Sequence, residues 1–184
     1  MNAFYRHMFD LIESIEACLK KGRVLPCLTL LYSGIDVVAS LDTDGVATRK
    51  GFLNWVDNYL LKALPIDCTA FDLYAARCAV VHTFTPESDL SKAGRARKIV
   101  YAWGNGDLSK LKKASVIIDH NDTAHVHLTD LVTAFRNGIA AYLEEIETQP
   151  ERQQSVETAA RLWYVPLDTV HVDKLLQSYE HSKG

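Results

Sequence analysis

The positions of the five prolines most constrain what this 184-residue chain can fold into. Proline in the interior of a helix removes a backbone hydrogen bond and clashes with the preceding turn, so each one marks a boundary. The prolines are Pro26, Pro65, Pro86, Pro150 and Pro166. Between them, apolar residues recur three or four positions apart, the spacing of a helix with one buried face. The chain is therefore predicted to be mainly α-helical.

Individual helices follow from this spacing. The stretch 3–20 has apolar residues at alternating intervals of four and three. A second helix contains Pro26 in its first turn, and Thr48 is the predicted N-cap of a third. The fourth is predicted from about Thr69 to Phe84. A long fifth helix begins at Leu128, and two more follow Pro150 and Pro166.

The pattern changes between the fourth and fifth helices. The sequences KIVYAW (98–103), SVII (115–118) and HVHL (125–128) are rich in residues that favour strands. Glycines at 104 and 106 indicate a turn. We therefore predict a small antiparallel hairpin or three-stranded sheet inserted over about 96–127. The whole of 1–184 is predicted to be one domain, an antiparallel helical bundle with a core of about 3–84 and 128–147 and a C-terminal helical extension over about 150–180.

Composition excludes several classes of protein. Hydrophobic residues make up 48% and charged residues 23% of the chain, which is typical of a folded protein and argues against disorder. No apolar run is expected to reach the roughly 18 residues that span a bilayer, and the first residues lack the layout of a signal peptide. A cytoplasmic location is expected. The four cysteines form no C-x-x-C pair, so reduced thiols and no cofactor are predicted.

An arginine and a histidine stand out near the end of the fourth helix. Arg77 and His82 are five residues apart, about 140° around the helix axis, but both heads can reach one cleft near the helix end. A guanidinium group fits phosphate oxygens, and an imidazole transfers protons near neutral pH. Together they can cleave RNA without a metal. Alternatively, Arg77 belongs to a salt bridge and His82 interacts with the helix dipole.

The stretch RCAVVH (77–82), on the late part of a helix with the apolar lead-in FDLYAARCAVVHTF, resembles the HEPN superfamily (higher eukaryotes and prokaryotes nucleotide-binding domain). The signature of that family is an arginine, four to six residues, and a histidine. The resemblance covers about 3–147, mostly as topology. It implies a metal-independent endoribonuclease in which Arg77 binds the scissile phosphate and His82 is the general acid and base.

The resemblance also implies a homodimer in which the motif helices lie side by side. Some family members are noncatalytic modules that bind RNA or nucleotides. In many catalytic members the residue after the arginine is polar, whereas here it is Cys78, which favours the noncatalytic alternative. A third possibility is an interaction protein of the toxin–antitoxin type.

Other polar residues are predicted to lie near Arg77 and His82. Thr83, Thr85, Glu87 and Ser88 follow the helix end and are candidates to line the same cleft. On the second helix, Ser33 and Asp36 are three residues apart and share a face. They either support Arg77 in the cleft or form internal hydrogen bonds.

The segment from Lys92 to Lys113 carries seven basic residues and one acid, in a chain whose net charge is −3. Such a segment can attract a phosphate backbone. Arg95, Arg97 and Lys98 are its candidate substrate-binding residues. The aromatic rings at 101 and 103 either stack on bases or pack on the bundle.

Histidines and aspartates also cluster just before the fifth helix. They are Asp119, His120, Asp122, His125 and His127. A divalent metal is one interpretation, because His125 and His127 point to one face of a strand. No known ligand spacing supports it, so a polar strand edge is favoured and no metal site is predicted.

Overall fold

The protein is mainly helical with a small two-stranded sheet. The computed structural model describes residues 2–118, 123–163 and 169–182. Two short irregular turns interrupt the helices: a 3-10 turn (Leu41–Thr43) and a π-helical turn (Val56–Leu60). The regular elements are α1 (Asn2–Lys20), α2 (Val24–Ser40), α3 (Arg49–Trp55), α4 (Leu61–Ala63), α5 (Ala70–Thr83), α6 (Asp89–Lys92), β1 (Lys98–Ala102), α7 (Leu108–Ile118), β2 (Thr123–His127), α8 (Leu128–Glu147), α9 (Pro150–Ala160) and α10 (Thr169–His181).

Helix boundaries follow the local chemistry of the sequence. The Thr48 side chain accepts a hydrogen bond from the Gly51 N–H and begins α3, as predicted. Thr69 and Asp72 form a capping box at the start of α5. Pro150 occupies the first turn of α9, where its missing N–H costs no hydrogen bond. The prediction for Pro166 lies outside the described residues.

The hydrophobic core lies where α1, α2, α3, α5 and α8 meet. α2 packs against α1, α3, α5 and α8, so it is the central helix. A Cβ atom at Gly34 of α2 would lie 2.8 Å from both Leu11 Cδ2 and Phe135 Cζ. The glycine therefore allows α1 and α8 to approach α2 closely. The largest fully buried side chains include Tyr32, Tyr142, Phe4, Phe52 and Phe135.

The expectation that no apolar run is long enough to span a membrane is wrong for one segment. Val24–Thr43 has 20 residues and a mean hydropathy of 1.7, which suffices by length and composition alone. However, 56% of the apolar window in this segment is buried inside the protein. The segment is packed as the central core helix, and buried core helices also meet these criteria of length and hydropathy.

The sheet is parallel, so the predicted antiparallel hairpin is wrong. β1 pairs with β2 in a register that runs from Lys98 opposite Thr123 to Ala102 opposite His127. The two strands are the first and third of the predicted three, and the segment between them contains α7. A crossover of this kind is what two neighbouring parallel strands require. Among the described residues, the sheet has only these two strands.

The segment SVII (115–118) is helical because its neighbours favour a helix. The Asp107 side chain accepts hydrogen bonds from the N–H groups of Ser109 and Lys110, at 2.8 and 3.4 Å, and caps the first turn of α7. Leucine, lysine and alanine, which precede SVII in α7, are strong helix formers. The strand preference of four residues is therefore overridden by the helix that leads into them.

Candidate active site

Arg77, His82 and Asp36 form one connected group between α5 and α2. The Arg77 Nε–H donates to Asp36 Oδ2 at 2.6 Å, and Arg77 Nη1 lies 3.0 Å from His82 Nε2. Arg77 and Asp36 are each less than one-fifth exposed, whereas His82 is exposed. The 140° separation around the helix does not keep the arginine and histidine apart, because the long arginine side chain reaches the last turn of α5.

The contact between Arg77 and His82 determines which histidine nitrogen carries a proton. Arginine has only donors, so the nitrogen that receives its hydrogen bond must be unprotonated. A hydrogen bond between these two atoms requires the neutral ring, with its hydrogen on Nδ1 and the lone pair of Nε2 directed at the guanidinium. A neutral imidazole beside a fixed positive charge has the protonation state that a general base needs.

Burial and charge act in opposite directions on the Asp36–Arg77 pair. Burial raises the pKa of Asp36, although the hydrogen bond from Arg77 and its charge act to lower it. For Arg77, burial acts to lower the pKa, but interactions with Asp36 and, to a smaller extent, Cys78 together outweigh burial and leave the pKa above its ordinary value. Arg77 therefore keeps its positive charge, and Asp36 fixes the direction of the guanidinium.

Replacing Asp36 with alanine is expected to lower the free energy of unfolding by about 2 kcal/mol. The change leaves a half-buried guanidinium without its carboxylate, and a charged hydrogen bond contributes about 1.5–3 kcal/mol. The better helix propensity of alanine returns at most about 0.7 kcal/mol. Urea unfolding followed by circular dichroism measures the loss.

Ser33 provides the matched control for Asp36, since it lies one turn earlier on the same face of α2. Among the described residues, its side chain makes no hydrogen bond. Ser33→Ala is therefore expected to change the unfolding free energy by less than about 0.5 kcal/mol. Equal unfolding midpoints for Asp36→Ala and the wild-type protein would contradict a positioning role for Asp36.

An open cleft of about 350 Å³ lies on the solvent side of His82. Thr83, Thr85, Glu87 and Ser88 line it together with His82, whereas Arg77 does not. Thr83 Oγ1 donates to the Ala79 carbonyl at 2.8 Å, and Thr85 Oγ1 donates to the Glu87 carbonyl at 2.9 Å. Ser88 is buried and caps α6, so its oxygen is engaged.

The other predicted basic residues surround a second cavity of about 690 Å³, next to this cleft. Arg95 is exposed there. Arg97 is held by Asp72, which accepts from Arg97 Nε at 3.0 Å and from Nη2 at 2.9 Å. Lys98 forms an ion pair with Glu87 at 3.3 Å. Arg97 and Lys98 therefore have acidic partners within the protein.

The two aromatic residues of the β1 region have different environments. The hydroxyl of Tyr101 is hydrogen-bonded to that of Tyr32, a buried core residue. Trp103 is 52% exposed, with its ring against Gly22. Tyr101 thus packs on the bundle, and only Trp103 presents a ring face to solvent.

The histidines of β2 have local roles. His125 is buried, with Nε2 3.4 Å from Thr123 Oγ1, and burial is the main reason that its pKa lies below the ordinary value. His127 Nδ1 accepts a hydrogen bond from the Thr129 N–H and caps α8. Asp119, His120 and Asp122 lie outside the described residues. Within 2–118, 123–163 and 169–182, no three metal-binding side chains cluster.

Two residues near the cleft escaped the sequence analysis. Arg49 of α3 lines the His82 cleft. Asp72 accepts a hydrogen bond from the backbone N–H of Arg97, the residue before β1. The spacing of Thr69 and Asp72 is that of a capping box, which is a signal that the sequence does contain. The sequence contains no comparable signal for Arg49, because only the packing of α3 on α5 brings this residue to the cleft.

Comparison of the chain with protein-family models, with curated proteins and with solved structures gave no match. The geometry of Arg77, His82 and their surroundings is therefore what supports a function.

Proposed function

We propose that this protein is a metal-independent endoribonuclease of the HEPN type, in which Arg77 and His82 cleave RNA. The observation that carries the proposal is the 3.0 Å contact between the Arg77 guanidinium and Nε2 of His82, a residue that lines an open cleft. The contact joins a guanidinium, which fits phosphate oxygens, to an imidazole, which can transfer protons. The proposal includes a cytoplasmic location, which fits the free state of all four cysteines.

In the proposed reaction, the scissile phosphate replaces His82 as the partner of Arg77 Nη1. The lone pair of His82 Nε2 is then free to accept the proton of the ribose 2′-hydroxyl. The 2′ oxygen attacks phosphorus, the bond from phosphorus to the 5′ oxygen breaks, and the proton passes to that leaving oxygen. The products are a 2′,3′-cyclic phosphate and a 5′-hydroxyl. Arg77, held by Asp36, balances the charge on the phosphate oxygens.

The test is cleavage of a single-stranded RNA in the presence of EDTA. We expect cleavage, with cyclic phosphate at the new 3′ ends detected by mass spectrometry. The matched control is an oligonucleotide with 2′-deoxyribose throughout, which lacks the attacking hydroxyl and should remain intact. Cleavage of both oligonucleotides at equal rates would contradict this mechanism.

The same measurement separates the alternative functions. RNA binding that weakens steeply with salt, without cleavage, would instead identify a noncatalytic RNA- or nucleotide-binding module. If the protein neither binds nor cleaves RNA, an interaction protein of the toxin–antitoxin type is the remaining alternative. As part of the proposal, two copies associate through α5, whose Phe71 and Val81 are partly exposed outside the His82 cleft.

A further inference from the structure

The cleft beside His82 continues along α5 to a second positive group. Tyr74, Cys78 and His82 are spaced four residues apart, so they lie along one side of α5, and all three line the cleft. At 1.5 Å per residue, Tyr74 and His82 are about 12 Å apart along the helix axis. Arg49 of α3 lines the cleft at the Tyr74 end.

The Arg49 side chain is positioned by an aromatic ring, and no acid among the described residues pairs with it. Its Cζ lies 5.1 Å from the centre of the Tyr74 ring, in the geometry of a cation–π contact. The Tyr74 ring is itself held edge-on by Phe52, with 5.5 Å between ring centres. Among the described residues, Arg49 forms no ion pair or hydrogen bond through its side chain. Its donors are therefore available to a ligand at the cleft wall.

The charges around the cleft favour an anion. Lys92 is exposed at its edge and, within the described part of the chain, makes no ion pair. Of the two acids that line the cleft, Glu87 is paired with Lys98. The other, Asp89, lies in the first turn of α6, where the helix dipole favours a carboxylate. With Glu87 paired, Arg49 and Lys92 outnumber the remaining acid of the cleft lining, Asp89, by one charge.

We infer that Arg49 binds a second phosphate of the RNA strand that is cleaved at Arg77 and His82. This inference rests on the proposed function. A guanidinium group fits a phosphate through paired hydrogen bonds. Tyr74 and His82 lie about 12 Å apart along the axis of α5, more than the rise of roughly 3.4 Å per nucleotide in a stacked strand. A phosphate at the Tyr74 end of the cleft and one at the His82 end therefore belong to different nucleotides. The substrate class is therefore a single-stranded RNA of several nucleotides rather than a mononucleotide.

The experiment measures binding without cleavage, in a His82→Ala background. The dissociation constant of a fluorescent 12-nucleotide single-stranded RNA is measured by anisotropy at several salt concentrations. Adding Arg49→Ala should weaken binding about tenfold and make the slope of log K against log salt shallower by about 0.7, the value for one phosphate contact on a single strand.

Lys50→Ala is the matched control, since Lys50 is the next residue, carries the same charge, is exposed and does not line the cleft. It should leave both affinity and slope close to those of the parent. Equal affinities and slopes for the Arg49 and Lys50 variants would overturn the inference, as would a parent protein that binds no RNA. If the wild-type protein never cleaves RNA but its RNA binding depends on Arg49, the proposed ribonuclease activity is refuted and the phosphate-binding role of Arg49 is supported.

Discussion

Replacing His82 with alanine will slow RNA cleavage by about 10²–10⁴-fold, the usual contribution of a general acid–base group. In the proposed mechanism, the variant lacks the nitrogen whose lone pair accepts the 2′-hydroxyl proton, while Arg77 and Asp36 remain in place. His82 is exposed, and its side chain contacts Arg77. The fold should therefore be unaffected. Initial rates on a single-stranded RNA in EDTA, with matched circular dichroism spectra, measure the effect.

His181 provides the control, because it is another exposed histidine in the last turn of a helix, α10. His181→Ala should cleave RNA at the wild-type rate. If the His82 variant retained more than about one-tenth of the wild-type rate, a role for His82 in proton transfer would be ruled out.

Replacing Asp72 with alanine is expected to lower the free energy of unfolding by about 4 kcal/mol. Asp72 is almost fully buried and accepts hydrogen bonds from the backbone of Thr69 at 2.9 Å and of Arg97 at 2.8 Å, as well as from the Arg97 guanidinium. The substitution leaves the backbone N–H groups of Thr69 and Arg97 without their acceptor and removes half of the capping box of α5. It also removes one of the two carboxylates at the Arg97 guanidinium, which keeps its 3.6 Å ion pair with Asp67. Urea unfolding at neutral pH measures the loss.

Asp130 is the matched control for Asp72, because it occupies the same third position of a helix, in α8, but is exposed. Asp130→Ala should cost less than about 1 kcal/mol, the range for a charge near a helix N-terminus. A similar small loss for Asp72→Ala would show that the buried hydrogen bonds contribute little.

The contribution of Asp72 to the free energy of unfolding should also depend on pH. Burial acts to raise the pKa of Asp72, but the hydrogen bonds from Thr69 and Arg97 outweigh it and hold the pKa below its ordinary value. A carboxyl group with a depressed pKa in the folded state stabilises the protein above its unfolded pKa of about 3.9. That stabilisation is lost as the pH falls below this value through the folded pKa, so wild type and variant should converge in acid.

Most of the helical architecture could be predicted from the sequence, because proline positions, N-caps and apolar spacing are local signals. Thr48 begins a helix, and the fourth predicted helix matches α5. The direction of the strands could not be predicted in the same way. The residues of β1 and β2 fit either direction equally well, and the choice depends on whether Asp107 begins a helix or a turn.

In the candidate site, too, some features could be predicted from the sequence and others could not. Asp36 could be proposed as a neighbour of Arg77, because a carboxylate in an apolar helix needs a partner. Arg97 was predicted to bind substrate, yet it is largely engaged by Asp72. Sequence identifies charged residues, but their partners depend on how distant helices pack, and Arg49 reaches the His82 cleft only through such packing.

The residue His127 belongs to β2 and also caps α8, so strand and helix join without a loop. Ile99 of β1 and Ala124 and Val126 of β2 are buried in the same core as the bundle helices. The sheet is consequently not a detachable appendage, whereas α7 between the strands buries no residue. In engineering, α7 is therefore the part of this region at which an insertion or a fused tag should disturb the bundle least, provided that a crossover remains to join the two parallel strands.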